Sequence, residues 1–106
     1  MVAKVSLSNF SKEVLSSNEL VIVDFFTTWC EPCKRMGIIL DEIKDEYNEK
    51  IKIVKLNVEE EIEIAQKYEV MSVPTILFFK NGNIVENAIG YLEKNKIVDK
   101  IENFNN

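Results

Sequence analysis

Between Leu20 and Tyr47 the hydrophobic period of the chain changes, and its two cysteines sit at the change. Leu20-Val21-Ile22-Val23-Asp24-Phe25-Phe26 is a nearly unbroken apolar run of strand length. It predicts a strand over 20–27 with both faces covered. From Pro32 onward Met36, Ile39, Leu40, Ile43 and Tyr47 recur at helical spacing, which predicts an amphipathic helix from about Pro32 to Asn48. The junction reads Trp29-Cys30-Glu31-Pro32-Cys33-Lys34. Cys30 therefore falls at a strand-to-helix turn, at the positive end of a helix. A thiolate is stabilised there by the macrodipole and by unpaired backbone N–H groups.

The rest of the chain alternates in the same way. Residues near Val2 to Leu7 are expected to form a short first strand. Ser8 is the expected N-cap of a helix to about Ser17, with Phe10, Val14 and Leu15 inward. Ile51 to Val58 reads as a strand. A helix from about Glu59 to Tyr68 follows, burying Ile62, Ala65 and Tyr68, with Glu59-Glu60-Glu61 as its solvated first turn. Pro74 to Phe79 is another buried strand, and Asn81-Gly82 is a two-residue hairpin signal that pairs it with Ile84 to Ile89. A last helix from about Glu93 to Phe104 presents Ile97, Val98, Ile101 and Phe104. The order βαβαβαββα predicts an α/β fold: a central mixed β-sheet, right-handed crossovers and helices on both faces. No linker, repeat or low-complexity segment divides the 106 residues, so residues 1–106 are read as one domain.

Charge and composition narrow the function classes. A net charge of −5 and a pI near 4.8 argue against nucleic acid as a partner. No apolar run approaches membrane-spanning length. The first residues, Met1 to Leu7, lack the apolar core and cleavage site of a secretory leader. The expected location is a reducing cytoplasm, where a Cys-x-x-Cys pair is more often catalytic than structural. Three other readings of the pair compete. A structural staple over so short a loop removes little entropy from the unfolded chain. A zinc site needs more ligands than a chain with no histidine and no third cysteine offers, short of carboxylates or a second copy. Two inert buried thiols remain the third reading.

Asp24 interrupts the strand 20–27 among Val, Ile and Phe neighbours. If buried, its pKa rises unless it is paired; alternatively, strand alternation turns it to solvent. Lys55 interrupts the next strand and is either its partner across the sheet or a simple outward-facing lysine. Pro74, in Ser72-Val73-Pro74-Thr75, stands at the first residue of a strand, where its missing N–H breaks no ladder bond.

In order and spacing these residues resemble the thioredoxin family. Val23-Asp24-Phe25 is similar to the family's strand before the active site, and Trp29-Cys30-x-Pro32-Cys33-Lys34 to its W-C-G-P-C-K motif. Lys55-Leu56-Asn57-Val58, Ala65-x-Lys67-Tyr68, Val73-Pro74-Thr75, Phe79-Lys80-Asn81-Gly82 and Gly90 follow, so the resemblance runs from about Asn18 to Ile101. It implies a thioredoxin fold and reduction of protein disulfides. It implies that Cys30 is the nucleophile, Cys33 the resolving thiol, Asp24 the buried proton acceptor and Pro74 a cis-proline facing the pair. Trp29, Pro32, Val73, Pro74, Gly90 and Tyr91 are expected to line a shallow apolar groove whose Val73 backbone pairs with an extended substrate segment. The implied partners are disulfide-containing proteins and a thioredoxin reductase of the flavin type. A monomer is expected, with no cofactor or metal of its own and neither nucleic acid nor membrane as partner.

The chain departs from the family at several positions. Glu31 replaces the usual glycine between the cysteines, Phe26-Thr27-Thr28 replaces a second tryptophan and a small residue, and Val70 stands where a glycine or polar residue is common. Ile38 replaces a helix-kinking proline, so the active-site helix is expected to be straighter. Glu31 should oppose the Cys30 thiolate and Lys34 should favour it, which makes these two, with Lys55, the expected tuners of redox potential. Relatives that act as oxidases or isomerases commonly carry a histidine before the second cysteine; here the dipeptide is Glu31-Pro32, which disfavours a strong oxidant. A non-enzymatic binding module using the apolar rim is the other alternative.

Overall fold

The strand Val21–Phe26 (β2) lies at the centre of a five-stranded sheet in the computed structural model, which describes residues 2–104. Met1, Asn105 and Asn106 of the expected domain lie outside the described residues. On one side β2 pairs in parallel with Lys52–Asn57 (β3), which in turn carries the short parallel strand Ala3–Lys4 (β1). On the other side it pairs antiparallel with Thr75–Lys80 (β4), and β4 with Asn83–Ile89 (β5). The order β1-β3-β2-β4-β5 is a mixed sheet whose antiparallel part is closed by the hairpin. At the hairpin Asn81 and Gly82 both have positive φ, 52° and 82°, as a two-residue turn matched to strand twist requires. A Cβ on Gly82 would stand 2.9 Å from the Leu15 carbonyl oxygen, so close approach as well as φ demands glycine there.

Strand alternation sorts the sheet into two cores. Leu20 and Ile22 face Met36, Leu40 and Ile43 of helix Glu31–Tyr47 (α1) and Ile97 and Ile101 of helix Lys94–Phe104 (α3). Val21, Val23 and Phe25 face the other way, toward Phe10, Val14 and Ile64, the last from helix Ile62–Lys67 (α2). Phe10, Tyr68 and Phe79 stack there with ring centroids 5.5–6.0 Å apart. Phe25, Phe78 and Phe79 are fully buried, each contributing about 1.5–3 kcal/mol by leaving water. Parity then places Asp24, like Ile22, on the face that α1 covers.

Several local expectations are corrected. The segment after Ser8 is no regular α-helix: Ser11–Leu15 forms a π-helical turn, with Ser16 N–H donating to Ser11 O at 2.9 Å. Ser8 does not cap it. The Asn9 side chain accepts from Ser6 N–H at 2.8 Å instead, and the Ser8 hydroxyl is 2.9 Å from that of Ser6. Glu59-Glu60-Glu61 precede α2 rather than begin it, because the Asn57 side chain accepts from the N–H groups of Glu59 and Glu60 and holds a turn. The later start turns Ile62 outward, 57% exposed, and buries Ile64 beside Ala65. The first strand is confined to Ala3–Lys4, although Val5 N–H still reaches Lys55 O at 2.8 Å. With Ile38 in place of proline, α1 runs unbroken for 17 residues.

Candidate active site

Cys30 is the N-cap of α1. Its backbone is extended (φ −107°, ψ 109°), Pro32 sits in the first turn where a missing N–H is harmless, and the Cys30 sulfur accepts the Cys33 N–H at 3.1 Å. The sulfur therefore meets the positive helix end and a directed donor at once, the arrangement that stabilises a thiolate. Cys30 and Cys33 are joined by a disulfide with Cα atoms 5.1 Å apart. Cys30 is partly exposed, while Cys33 is 4% exposed. Of the two cysteines, Cys30 is the one open to solvent.

Behind Cys33 lies a cleft of about 300 Å³. Asp24 and Cys33 form its buried floor; Phe26, Thr27, Gly37 and Lys55 line the sides, and Thr28 and Lys34 stand exposed at the rim. Asp24 is 4% exposed and its Oδ1 has no hydrogen-bond partner among the described residues. Burial pushes its pKa up to about 7; the Lys55 ammonium pulls it down and the Asp41 carboxylate pushes it further up. A carboxyl that titrates near neutrality, beside a buried thiol, is matched to proton transfer at that pH. Parallel register makes Asp24 and Lys55 direct neighbours across β2 and β3, yet no ion pair joins them among the described residues. Lys55 instead lies 5.9 Å from the centroid of the Phe26 ring.

The structure places the expected groove residues at one end of the sheet. The Val73–Pro74 peptide is cis, and Pro74 O accepts the Gly90 N–H at 2.8 Å, which brings those two residues together. The Thr75 hydroxyl donates to Ser72 O at 2.7 Å and fixes the loop before Pro74. Tyr91 is tied to α1 by the Arg35 guanidinium, 4.7 Å from its ring centroid. Trp29, beside Cys30, is 87% exposed. Glu31 and Lys34 are both exposed and 3.9 Å apart, so the negative charge between the cysteines is partly countered one turn on. Sequence reasoning missed Met71. It is 95% exposed, three residues before Pro74, and lines a second cleft of about 290 Å³ with Val70, Ser72 and Ile89. A large apolar residue outside any strand or helix period, in the loop before a proline, was the signal. It also missed Gly37 and the Thr27-Thr28 rim of the Asp24 cleft.

Comparison with known proteins decides the family. The thioredoxin family model matches residues 1–103. The chain belongs to the thioredoxin family. It is 44% identical to a thioredoxin of Rickettsia felis over 101 residues, 95% of this chain and 96% of that one. It is 43% identical to a thioredoxin of Chlorobaculum thiosulfatiphilum, covering 89% of this chain and 87% of that one. It is 39% identical to thioredoxin 1 of a Nostoc species, covering 94% of each. With the Cys30–Cys33 pair in the family's spacing, this thioredoxin is a protein-disulfide oxidoreductase that exchanges dithiol and disulfide with protein substrates and with a reductase. Among the described residues no helix is long and apolar enough to cross a membrane.

Proposed function

We propose that this thioredoxin works as a reductant of cytoplasmic protein disulfides, with Cys30 as nucleophile, Cys33 as resolving thiol and Asp24 as its base. The observation that carries the reading is the asymmetry of the pair: Cys30, partly exposed, caps α1, and Cys33 is buried in the cleft it shares with Asp24, whose Oδ1 has no hydrogen-bond partner among the described residues. In the reduced protein the Cys30 thiolate attacks one sulfur of a target disulfide. A Cys30–target bond forms, and the other target sulfur leaves as a thiolate. Cys33 then gives its proton to Asp24 and attacks Cys30, and the target's second sulfur leaves with the bond's electron pair. Both target sulfurs end reduced and Cys30–Cys33 ends oxidised.

The exposed Trp29 and the Val73–Pro74 and Gly90–Tyr91 backbone favour an extended protein segment as substrate. The domain acts as a monomer over residues 1–106 and is recharged by a flavin-type thioredoxin reductase. Glu31 between the cysteines disfavours use as a strong oxidant. An insulin-type disulfide reduction assay tests this, first with dithiothreitol and then with a flavin reductase and its electron donor. Catalysed precipitation of the freed insulin chain is expected in both. Rapid oxidation of reduced target dithiols, with no net reduction, contradicts it.

A further inference from the structure

Gly37 lies in the interior of α1, where glycine is destabilising relative to alanine. Neither usual reason for a glycine applies. Its φ is not positive, and a Cβ there would meet nothing within 4 Å among the described residues beyond its chain neighbours and the backbone of its own helix. What its missing side chain does leave is space over the Asp24 cleft, whose wall it forms. Side chains on a helix lean toward its N-terminus, so a long side chain at 37 would lie over Cys33 and Lys34, one turn back. That is the space between the buried floor and the exposed rim.

We propose that Gly37 is a positioning residue that keeps open the route by which water reaches Asp24, and so lets the Cys33 proton leave for solvent during target release. The inference rests on the reading of Asp24 as the base for Cys33. The step itself is balanced as above: the Cys33 proton passes to the Asp24 carboxylate while the Cys30–Cys33 bond forms and the Cys30–target bond breaks. Asp24 must start each release ionised, so it must lose that proton to solvent again, and a closed cleft leaves more of it protonated when release begins. Its Oδ1 has no hydrogen-bond partner among the described residues, and the cleft is the space that leads from it to solvent. At about 300 Å³ the cleft has room for several waters in file, and Asp24 and the Thr27-Thr28 rim supply polar groups for them. The charged and titratable groups facing Asp24 are Lys55 from β3, and Cys33, Lys34 and Asp41 from α1; from β4 its paired neighbour is the apolar Ile76.

The test is a volume series, Gly37→Ala and Gly37→Leu, in the full chain, with Asp24→Asn run beside it. Stopped-flow kinetics separates attack on a model protein disulfide from release of the mixed disulfide. Release should slow in order of side-chain volume, by about tenfold or more in Gly37→Leu at neutral pH. Attack by Cys30 should keep its rate, and the Tm of both variants should not fall. The pH profile of release should move to higher pH in Gly37→Leu, because a drier Asp24 holds its proton longer. Release at the wild-type rate and pH profile in Gly37→Leu, with Asp24→Asn slow, overturns the route alone. Wild-type release in Asp24→Asn overturns the base reading and the route with it. Equal slowing of attack and release, or a lowered Tm, would assign Gly37 a merely structural role and also overturn the proposal.

Discussion

Replacing Asp24 by asparagine removes a charge from the apolar face of β2 and should change how stability depends on pH. In the folded chain burial raises the Asp24 pKa from an ordinary 3.8 to about 7. Between those values the folded state keeps a proton that the unfolded state has lost, so stability falls as pH rises. Asp24 therefore imposes no penalty below about pH 4, an increasing one across pH 4–7, and a constant one above. At about 1.4 kcal/mol per pH unit the full rise corresponds to about 4 kcal/mol. Relaxation around a buried carboxylate lowers this toward the 1–3 kcal/mol typical of buried polar groups, so about 2–4 kcal/mol is expected. Asparagine carries no such slope. Urea unfolding of the oxidised wild type and Asp24→Asn at half-unit steps from pH 4 to pH 9 gives the difference directly. The other carboxylates cancel, including Glu13, whose pKa is lowered by its hydrogen bond and proximity to Lys52. The variant should match the wild type near pH 4, apart from a constant amide offset, and gain on it steadily to about pH 7. At neutral pH that gain is roughly 10–20 °C in Tm. A difference that does not change with pH would mean that Asp24 is solvated in the folded protein, and the reasoning about its cleft would fail.

Two further substitutions probe local physics. Glu31→Gly removes an exposed negative charge beside Cys30 that Lys34 only partly offsets, so the thiolate and the reduced form gain stability. The potential should move by about 5–20 mV to a less negative value, more at low salt, when equilibrated against glutathione; a move to a more negative value would show that backbone freedom outweighs charge. Glu69 has a φ of 55°, the left-handed region that disfavours a side chain. Glu69→Gly should relieve that strain and raise stability by roughly 0.5–1 kcal/mol in urea titration, and a loss would mean that the Glu69 side chain holds the loop before Pro74.

The parts legible in the sequence were those set by local period or by a single residue's chemistry. The strand expected over 20–27, found at Val21–Phe26, and the helix after Pro32 announce themselves by apolar spacing, and the turn at Asn81-Gly82 by its need for positive φ. The strand order was not local information. It depends on which edges pair once both faces of β2 are covered. The Ser8 cap failed because the Ser6 carbonyl takes the Asn9 and Phe10 N–H groups in a turn and the helical segment starts only at Ser11, an outcome that propensity cannot rank. Ile62 was misplaced because the Asn57 side chain delays α2 and leaves Ile62 exposed in its first turn, whereas Ala65 is buried as expected. The Asp24 cleft was half visible. An acid in an apolar strand is conspicuous, whereas Gly37, which lines the space above it, carries no side chain to draw attention.

The central claim is that Cys30 attacks and Cys33 resolves, and trapping tests it most directly. Cys33→Ser and Cys30→Ser variants, reduced and then exposed to oxidised target proteins, are resolved on non-reducing gels, and the adducts mapped by mass spectrometry. The account predicts stable mixed disulfides through Cys30 in Cys33→Ser, and few or none through the buried Cys33 in Cys30→Ser. Adducts forming equally well through Cys33 would contradict the order of the two thiols and the mechanism built on it.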